Sequence, residues 1–258
     1  LGTDVIVNKN TIAFVSWNWK AGGSASSNSD GSITSSVSAN TTSGFSIVSY
    51  TATNANATVG HGLGQALDML IVKNRDSSKD WRVWFKGFSG TERLELNNAE
   101  AKASTNTSWN GTIPTSSVFS LGDDTNTNNS TDKYIAYCFA GKKGYSKFGT
   151  YTGNSSTDGS FVYTGFKPAW IMVKKINSAN DEWNMFDNKR DPHNVMTLRL
   201  VANITAADAA GTYVDFLSNG FKWRINNNLA NGNGNTYIYM AFAESPFVNS
   251  NKVPNNAR

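Results

Sequence analysis

The sequence is poor in the residues that do most covalent and metal chemistry. It holds one cysteine and two histidines in 258 residues. A single Cys138 excludes an internal disulfide framework, and its place inside "YIAYCFA" reads as a buried, inert thiol of a strand. His61 and His193 stand far apart, with no H-x-x-x-H, HExxH or clustered Cys/His spacing, so no zinc site is expected. The glycine patterns of a nucleophile elbow, a phosphate-binding loop or a dinucleotide fold are also missing. No apolar run approaches the ~18–20 residues of a membrane-spanning helix. The N-terminal "LGTDVIVNKN" lacks the charged and apolar regions of a secretory signal and opens without Met, as a fragment or processed product would.

Charge is scarce too. Charged residues make up 16%, and the net charge of +4 is spread among acids, with Lys142-Lys143, Lys174-Lys175 and Lys189-Arg190 as the longest basic runs. That is no phosphate-tracking stripe, so nucleic acid is not an expected partner. With five prolines and no block of one sign, a disordered chain is not expected either.

What is abundant is Asn, 33 residues of it, with Ser, Thr and aromatics. These residues compete with helical hydrogen bonding and suit strands and tight turns. Asn-Gly turn signals stand at Asn110, Asn219, Asn231 and Asn233. Sequons at Asn40, Asn56, Asn154 and Asn203 would matter only in a eukaryotic secretory pathway.

The strongest signal is repetition. "SYTA" at 49–52 returns as "TYTG" at 150–153, "VGHGL" at 59–63 as "VYTGF" at 162–166, and "DMLIVKN" at 68–74 as "AWIMVKK" at 169–175. Trp81 and Trp84 match Trp183 and Phe186, "SVFSLG" at 117–122 matches "NGFKWR" at 219–224, and "KYIAYCFA" matches "TYIYMAFA". The offset stays between 101 and 103 residues, from Asp68 against Ala169 to Tyr134 against Tyr237. The expected fold is therefore all-β, two tandem duplicated β-sandwich or jelly-roll-like modules. The expected boundaries are 1–43 (terminal strands of a preceding module, Val5–Lys20, plus a Ser/Gly-rich linker with one strand at Ser32–Ser38), 44–144, 145–247, and a 248–258 tail. The orphan strand is expected to add to the sheet of the following copy or to find partners in a longer protein.

The closing strands alternate with period two. Ile135, Tyr137 and Phe139 share one face, as do Ile238, Met240 and Phe242, and Val15, Trp17 and Trp19. These large side chains should fill a core, while the opposite faces (Ala136 and Cys138; Tyr239 and Ala241) should be approached closely by a neighbour.

Candidate chemistry is thin. Asp68, Asp76, Asp80, Glu92, Glu95 and Glu100 sit among turn or strand-end signals and make no recognisable acid pair. A dispersed Ser/His/Asp triad leaves no trace in sequence. "GDDTNTNNSTD" at 122–132 opens like a calcium loop at Asp124, Asn126 and Asn128 but lacks the glycine and bidentate glutamate that follow in one, and reads as a polar hairpin loop. Trp109 in "NTSWNGT" aligns near Gly211 and has no aromatic counterpart. It either stacks on a sugar ring with Asn110 bonding hydroxyls, or packs as a minor core residue.

The phrases "FVSWNWKAGGSASSNSDGSITSSVSANTTSGFSIVSYTATNANATVGHGLG", "DMLIVKNRDSSKDW", "GYSKFGTYTGN", "FVYTGFKPAW" and "VDFLSNGFKWR" resemble the repeated modules of large tail-fibre-like structural proteins of marine bacteriophages, including cyanophages, from about Phe14 to Phe247. The family's longer chains carry a complete preceding module, whereas this one starts within its final strand. The resemblance implies a non-enzymatic virion protein, in a tail fibre or appendage assembled in the host cytoplasm. Its expected partners are other virion proteins and a host surface glycan or protein, without cofactor, nucleic acid or membrane insertion, and trimers are expected by analogy. The alternatives are a purely structural shaft or decoration module, a bacterial surface adhesin and, less favoured, a polysaccharide-degrading enzyme.

Overall fold

The computed structural model describes residues 2–246 and is almost wholly β. The short helix α1, Val5–Asn8, is capped by Asp4, whose carboxylate accepts from the Ile6 amide at 2.9 Å. Strands β1 (Ser26–Asn28) and β2 (Ser35–Asn40) precede two sets of eight. The first half comprises β3 (Phe45–Thr51), β4 (Ala57–Gly60), β5 (Met69–Asn74), β6 (Arg82–Phe85), β7 (Glu92–Glu95), β8 (Ala103–Ser104), β9 (Val118–Leu121) and β10 (Lys133–Phe139). The second comprises β11 (Ser146–Thr152), β12 (Phe161–Tyr163), β13 (Pro168–Lys175), β14 (Asn184–Asp187), β15 (Met196–Val201), β16 (Ala209–Leu217), β17 (Gly220–Trp223) and β18 (Thr236–Ala243).

Strand order repeats between the halves. The first sheet runs β1-β2-β3-β10-β5-β6-β7-β8, with β4-β9 as a separate ribbon. The second runs β11-β18-β13-β14-β15-β16-β17-β12, where the long β16 pairs with both β15 and β17 and so joins the ribbon β17-β12 to its sheet. Local contacts recur as well. Tyr50 stacks on Tyr134 at 5.3 Å and Tyr151 on Tyr237 at 5.0 Å. The hydroxyls of Tyr50 and Tyr151 donate to the carbonyls of Thr127 and Ala230. Asn128 and Asn231, both fully buried, staple the loop before the last strand to the loop after the first. The polar loop 122–132 is thus held from within: Asp124 accepts from Arg82, Ser108 and Asn126.

The two faces of the closing strands separate as alternation dictates. Tyr134, Ala136 and Cys138 lie under Phe119, Leu121 and Val59 of the ribbon, and burial pushes the Cys138 thiol up to about 12. Tyr237, Tyr239 and Ala241 lie under Phe221 and Trp223. The large-residue faces turn to each other: Phe139 meets Phe148 and Phe242, so the two sheets share a core across this seam, while Phe221, Trp223 and Tyr239 belong to a second core within the second half. Polar bonds cross the same seam, from the Trp183 indole to Glu95 O at 2.9 Å and from the Lys102 amide to Ile176 O at 2.9 Å.

The N-terminal region departs from expectation. Val5–Lys20 forms no sheet strand. The segment after α1 runs as a strap that wedges Trp17 and Trp19 into the seam, with Trp19 edge-on to Trp170 and Phe242, both at 5.4 Å. A strap can bury two indoles against existing sheets without needing ladder partners of its own. The expected linker is a hairpin: β2 adds antiparallel to β3, and β1 to β2. The module boundary at 43/44 therefore cuts through the first sheet. The proposed tail, 248–258, lies outside the described residues. No helix among the described residues is long and apolar enough to cross a membrane.

Candidate functional site

The sequence-derived sugar site does not form as expected. Trp109 is 1% exposed and its indole N–H donates to Glu92 O at 3.2 Å, so no ring face is open to a sugar. Packing wins because the loop folds the indole under the first sheet's far strands, leaving only Asn110 at the surface, in a left-handed turn (φ 49°). His61 is likewise interior: Nδ1 accepts from the Leu63 amide, Nε2 faces Thr115 O, and desolvation holds its pKa below the usual value. Among the described residues no three His, Cys, Asp or Glu side chains gather as a metal site would require.

An open cleft of about 350 Å³ lies where the halves meet, formed by Asp68, Lys86 and the Gly141–Gly144 turn on one side and by Lys147, Tyr163 and Thr164 on the other. The strand β12 places its rim. With only three residues its pattern is exposed-buried-exposed: Val162 points into the core, and Phe161 and Tyr163 point out, 46% and 57% exposed. Gly220 stands opposite Tyr163 in the ladder and Lys222 opposite Phe161, and the Phe161 ring lies over Gly220, where a Cβ would meet it at 3.0 Å. Gly165, at φ +85°, turns the chain under the Tyr163 ring, and a side chain there would be strained.

Charge in the cleft is unbalanced. Lys86 pairs with Asp68 at 2.8 Å, and the same carboxylate also accepts the Gly141 amide at 2.5 Å. Among the described residues Lys147 has no carboxylate partner. Its ammonium donates to Tyr163 O at 2.7 Å and sits 4.9 Å from that ring's centroid. Desolvation, then the charge of Lys86, holds the Lys147 pKa below the ordinary lysine value. Lys143 is exposed and has no hydrogen-bond or ion-pair partner among the described residues.

The matching place in the first half is covered. Thr58 and Gly60 stand where Phe161 and Tyr163 stand in the second, under the residues that lead into β2. Ser32 and Thr58 exchange two hydrogen bonds at 2.9 Å, Ile33 bridges Val59, and the Ser35 hydroxyl donates to Gly60 O at 3.2 Å. A Cβ on Gly60 would lie 1.7 Å from Asn28 Oδ1, so a side chain there must displace that of Asn28 on β1. Sequence reasoning passed over Tyr163 and Phe161, although the missing-counterpart test that singled out Trp109 also marks them: the first half has Gly60 and Thr58.

Over residues 2–246 the chain matches the family model described as "Domain of unknown function (DUF7483)". No curated protein and no solved structure matches it. Because the match takes in all eighteen strands and the cleft, the chain belongs to the DUF7483 family.

Proposed function

We infer that the chain is a non-enzymatic module of a virion appendage, of tail-fibre type, built by duplication of one eight-stranded unit, and that it contacts a host surface by holding carbohydrate in the cleft of its second half. The observation that carries the binding role is the pair of exposed aromatic rings, Phe161 and Tyr163, on the short strand β12, with Tyr163 lining the cleft. Sugars present apolar faces to such rings and hydroxyls to neighbouring amines and carbonyls. Support for duplication comes from the shared strand order and the recurring tyrosine stacks. The resemblance to phage tail-fibre modules motivates the virion placement. The buried Asp124 and the half-buried Glu95 are committed to Arg82, which suits a scaffold role for them.

A purely structural reading has its own observation. Among the described residues no strand pairs with the outer edge of β11, and Val5, Ile6, Val7, Ile12 and Phe14 expose apolar surface on the N-terminal arm, which suits contact with neighbouring subunits. A panel of bacterial surface polysaccharides, probed with the chain and with Tyr163→Ala, separates the two. Selective binding that the variant loses supports the glycan reading. No binding by folded chain, together with concentration-dependent self-association, replaces it with the structural one.

A further inference from the structure

We propose that the cleft selects acidic polysaccharide, a chain bearing uronate or sulfate groups, with Lys143 and Lys147 meeting the anion and Tyr163 stacking on the sugar ring. The inference rests on the carbohydrate reading above and narrows it to a charge class.

The first argument is the count of charges that face the cavity. Lys86, Lys143 and Lys147 line it against one carboxylate, Asp68. Asp68 is already engaged by Lys86 and the Gly141 amide, so it has little capacity to balance the other two ammonium groups. Lys147 lies half-buried, and its acceptors among the described residues are neutral, Tyr163 O and the Tyr163 ring. A partly desolvated cation without a counter-charge is costly, and an incoming carboxylate or sulfate ester relieves that cost. The lowered proton affinity of Lys147 is the same deficit expressed as titration.

The second argument is the coupling of charge to an aromatic platform. A site for small free anions needs only donors. Here the cation lies against the face of a ring that is 57% exposed and continues along β12 to Phe161, with Lys222 beside it. Two rings of β12, each with a lysine of another strand beside it (Lys147 of β11 at Tyr163, Lys222 of β17 opposite Phe161), match a polymer that alternates sugar faces and acidic groups. Lys222 is paired with Asp158 at 2.6 Å, a carboxylate that is 77% exposed at its side chain, so that pair lies at the accessible end of the track. The third argument is access. The first half places a hairpin over this face, whereas only the six residues Ala140–Tyr145 separate β10 from β11, too few to repeat that hairpin.

The test is calorimetric titration of the intact chain with hexagalacturonate, a sulfated oligosaccharide of equal length, neutral maltohexaose and inorganic polyphosphate. Wild-type chain, Lys143→Gln, Lys147→Gln and Tyr163→Ala are compared, with Lys189→Gln as a remote charge control. The expected result is binding of at least one acidic oligosaccharide, weakened about tenfold by each cleft substitution, which corresponds to about 1.4 kcal/mol, and unchanged by Lys189→Gln. Binding should also weaken on raising salt. Because Lys143 is fully at the surface, its variant keeps the test meaningful even if Lys147→Gln perturbs folding. Equal, Tyr163-dependent binding of maltohexaose would overturn the acidic class while leaving the carbohydrate reading intact. Polyphosphate binding that matches the sugars and ignores Tyr163→Ala would overturn sugar recognition in favour of simple charge attraction. No binding of any sugar by folded chain would overturn both.

Discussion

The two halves share a strand order and treat the same edge in opposite ways. In the first, β3 is followed outward by β2 and β1, and the hairpin also covers β4. In the second, β11 is the last strand of its sheet, and β12 carries Phe161 and Tyr163 into solvent. The carbonyl at the matching place tells the difference on one atom: Gly60 O accepts the Ser35 hydroxyl of the hairpin, whereas Tyr163 O accepts the ammonium of Lys147. A lysine beside an open edge discourages edge-to-edge pairing. One architecture thus yields a closed face in the first half and an open one in the second.

The largest expected contrast lies in the charged interior of the first half. Arg82 is buried between Asp124, at 3.0 Å, and Glu95, with Asp80 at 3.6 Å. Burial opposes ionisation of Asp124, but hydrogen bonds from Ser108 and Asn126 and the Arg82 charge outweigh it and hold that carboxyl below its usual range. The second half places neutral Asn184 there, bonded to Arg199 at 2.8 Å. Removing one partner of a buried ion pair costs about 3–5 kcal/mol because the other charges are left uncompensated. Arg82→Ala should therefore shift the denaturant midpoint well beyond Asn184→Ala, where about 1–3 kcal/mol is expected for a lost buried amide. Equal losses would mean that the Arg82 network carries no special weight.

The next contrast is a reciprocal exchange at the edge. Gly60→Tyr imports the second half's residue beneath the hairpin, where its Cβ meets the Asn28 side chain and its ring must enter the space between β1 and β4. Overpacking of this kind costs about 1–3 kcal/mol, and here it should expel β1 and β2 and raise light scattering. Tyr163→Gly removes an exposed ring and should change stability by only about 0.5 kcal/mol or less. A harmless Gly60→Tyr would show that the hairpin is not seated on β4 as described.

The smallest contrast is one of pH. Lys174 is fully buried, its ammonium donating to Asp181 O at 2.7 Å and across the seam to Ala99 O at 3.3 Å. Lys73, at the matching place, spends its ammonium on Lys79 O within its own half. Burial pulls the Lys174 pKa down to about 8. Below pH 8 both folded and unfolded chains carry the proton and the burial cost is fully present. As pH rises toward the unfolded value, the unfolded chain binds more protons, so stability rises. Urea melts should show a gain of about 1–2 kcal/mol between pH 8 and 9.5, and Lys174→Met should flatten it. A flat profile in the wild type would show that Lys174 is solvated.

How much of this was legible in the sequence follows from what period two can say. It assigned Ile135, Tyr137 and Phe139 to one face and Ala136 and Cys138 to the other, and the structure keeps both sets. It did not say what covers each face, so the meeting of the two large-residue faces in one seam was not visible. Trp17 and Trp19 looked like a strand because they alternate, yet an extended strap alternates too. Of the hairpin, one strand was legible, expected at Ser32–Ser38 and found as β2 at Ser35–Asn40; its partner β1 was hidden by Gly/Ser composition, since its pairing runs through backbone and leaves little apolar pattern. Trp109 was noticed for lacking a counterpart, but asymmetry alone does not separate a buried ring from an open one. At Tyr163 the same asymmetry coincides with a three-residue edge strand, and exposure follows.

The most direct test of the account is backbone hydrogen exchange compared between β3 and β11 in dilute chain, with and without saturating acidic oligosaccharide. The account predicts that β3, flanked by β2 and β10, is protected throughout. The amides of β11 that face away from β18 should exchange fast in free chain and slow when the cleft is filled. Protection of β11 equal to that of β3 in the free chain, or ligand-induced protection that appears anywhere but around Ser146–Phe148 and β12, would contradict it.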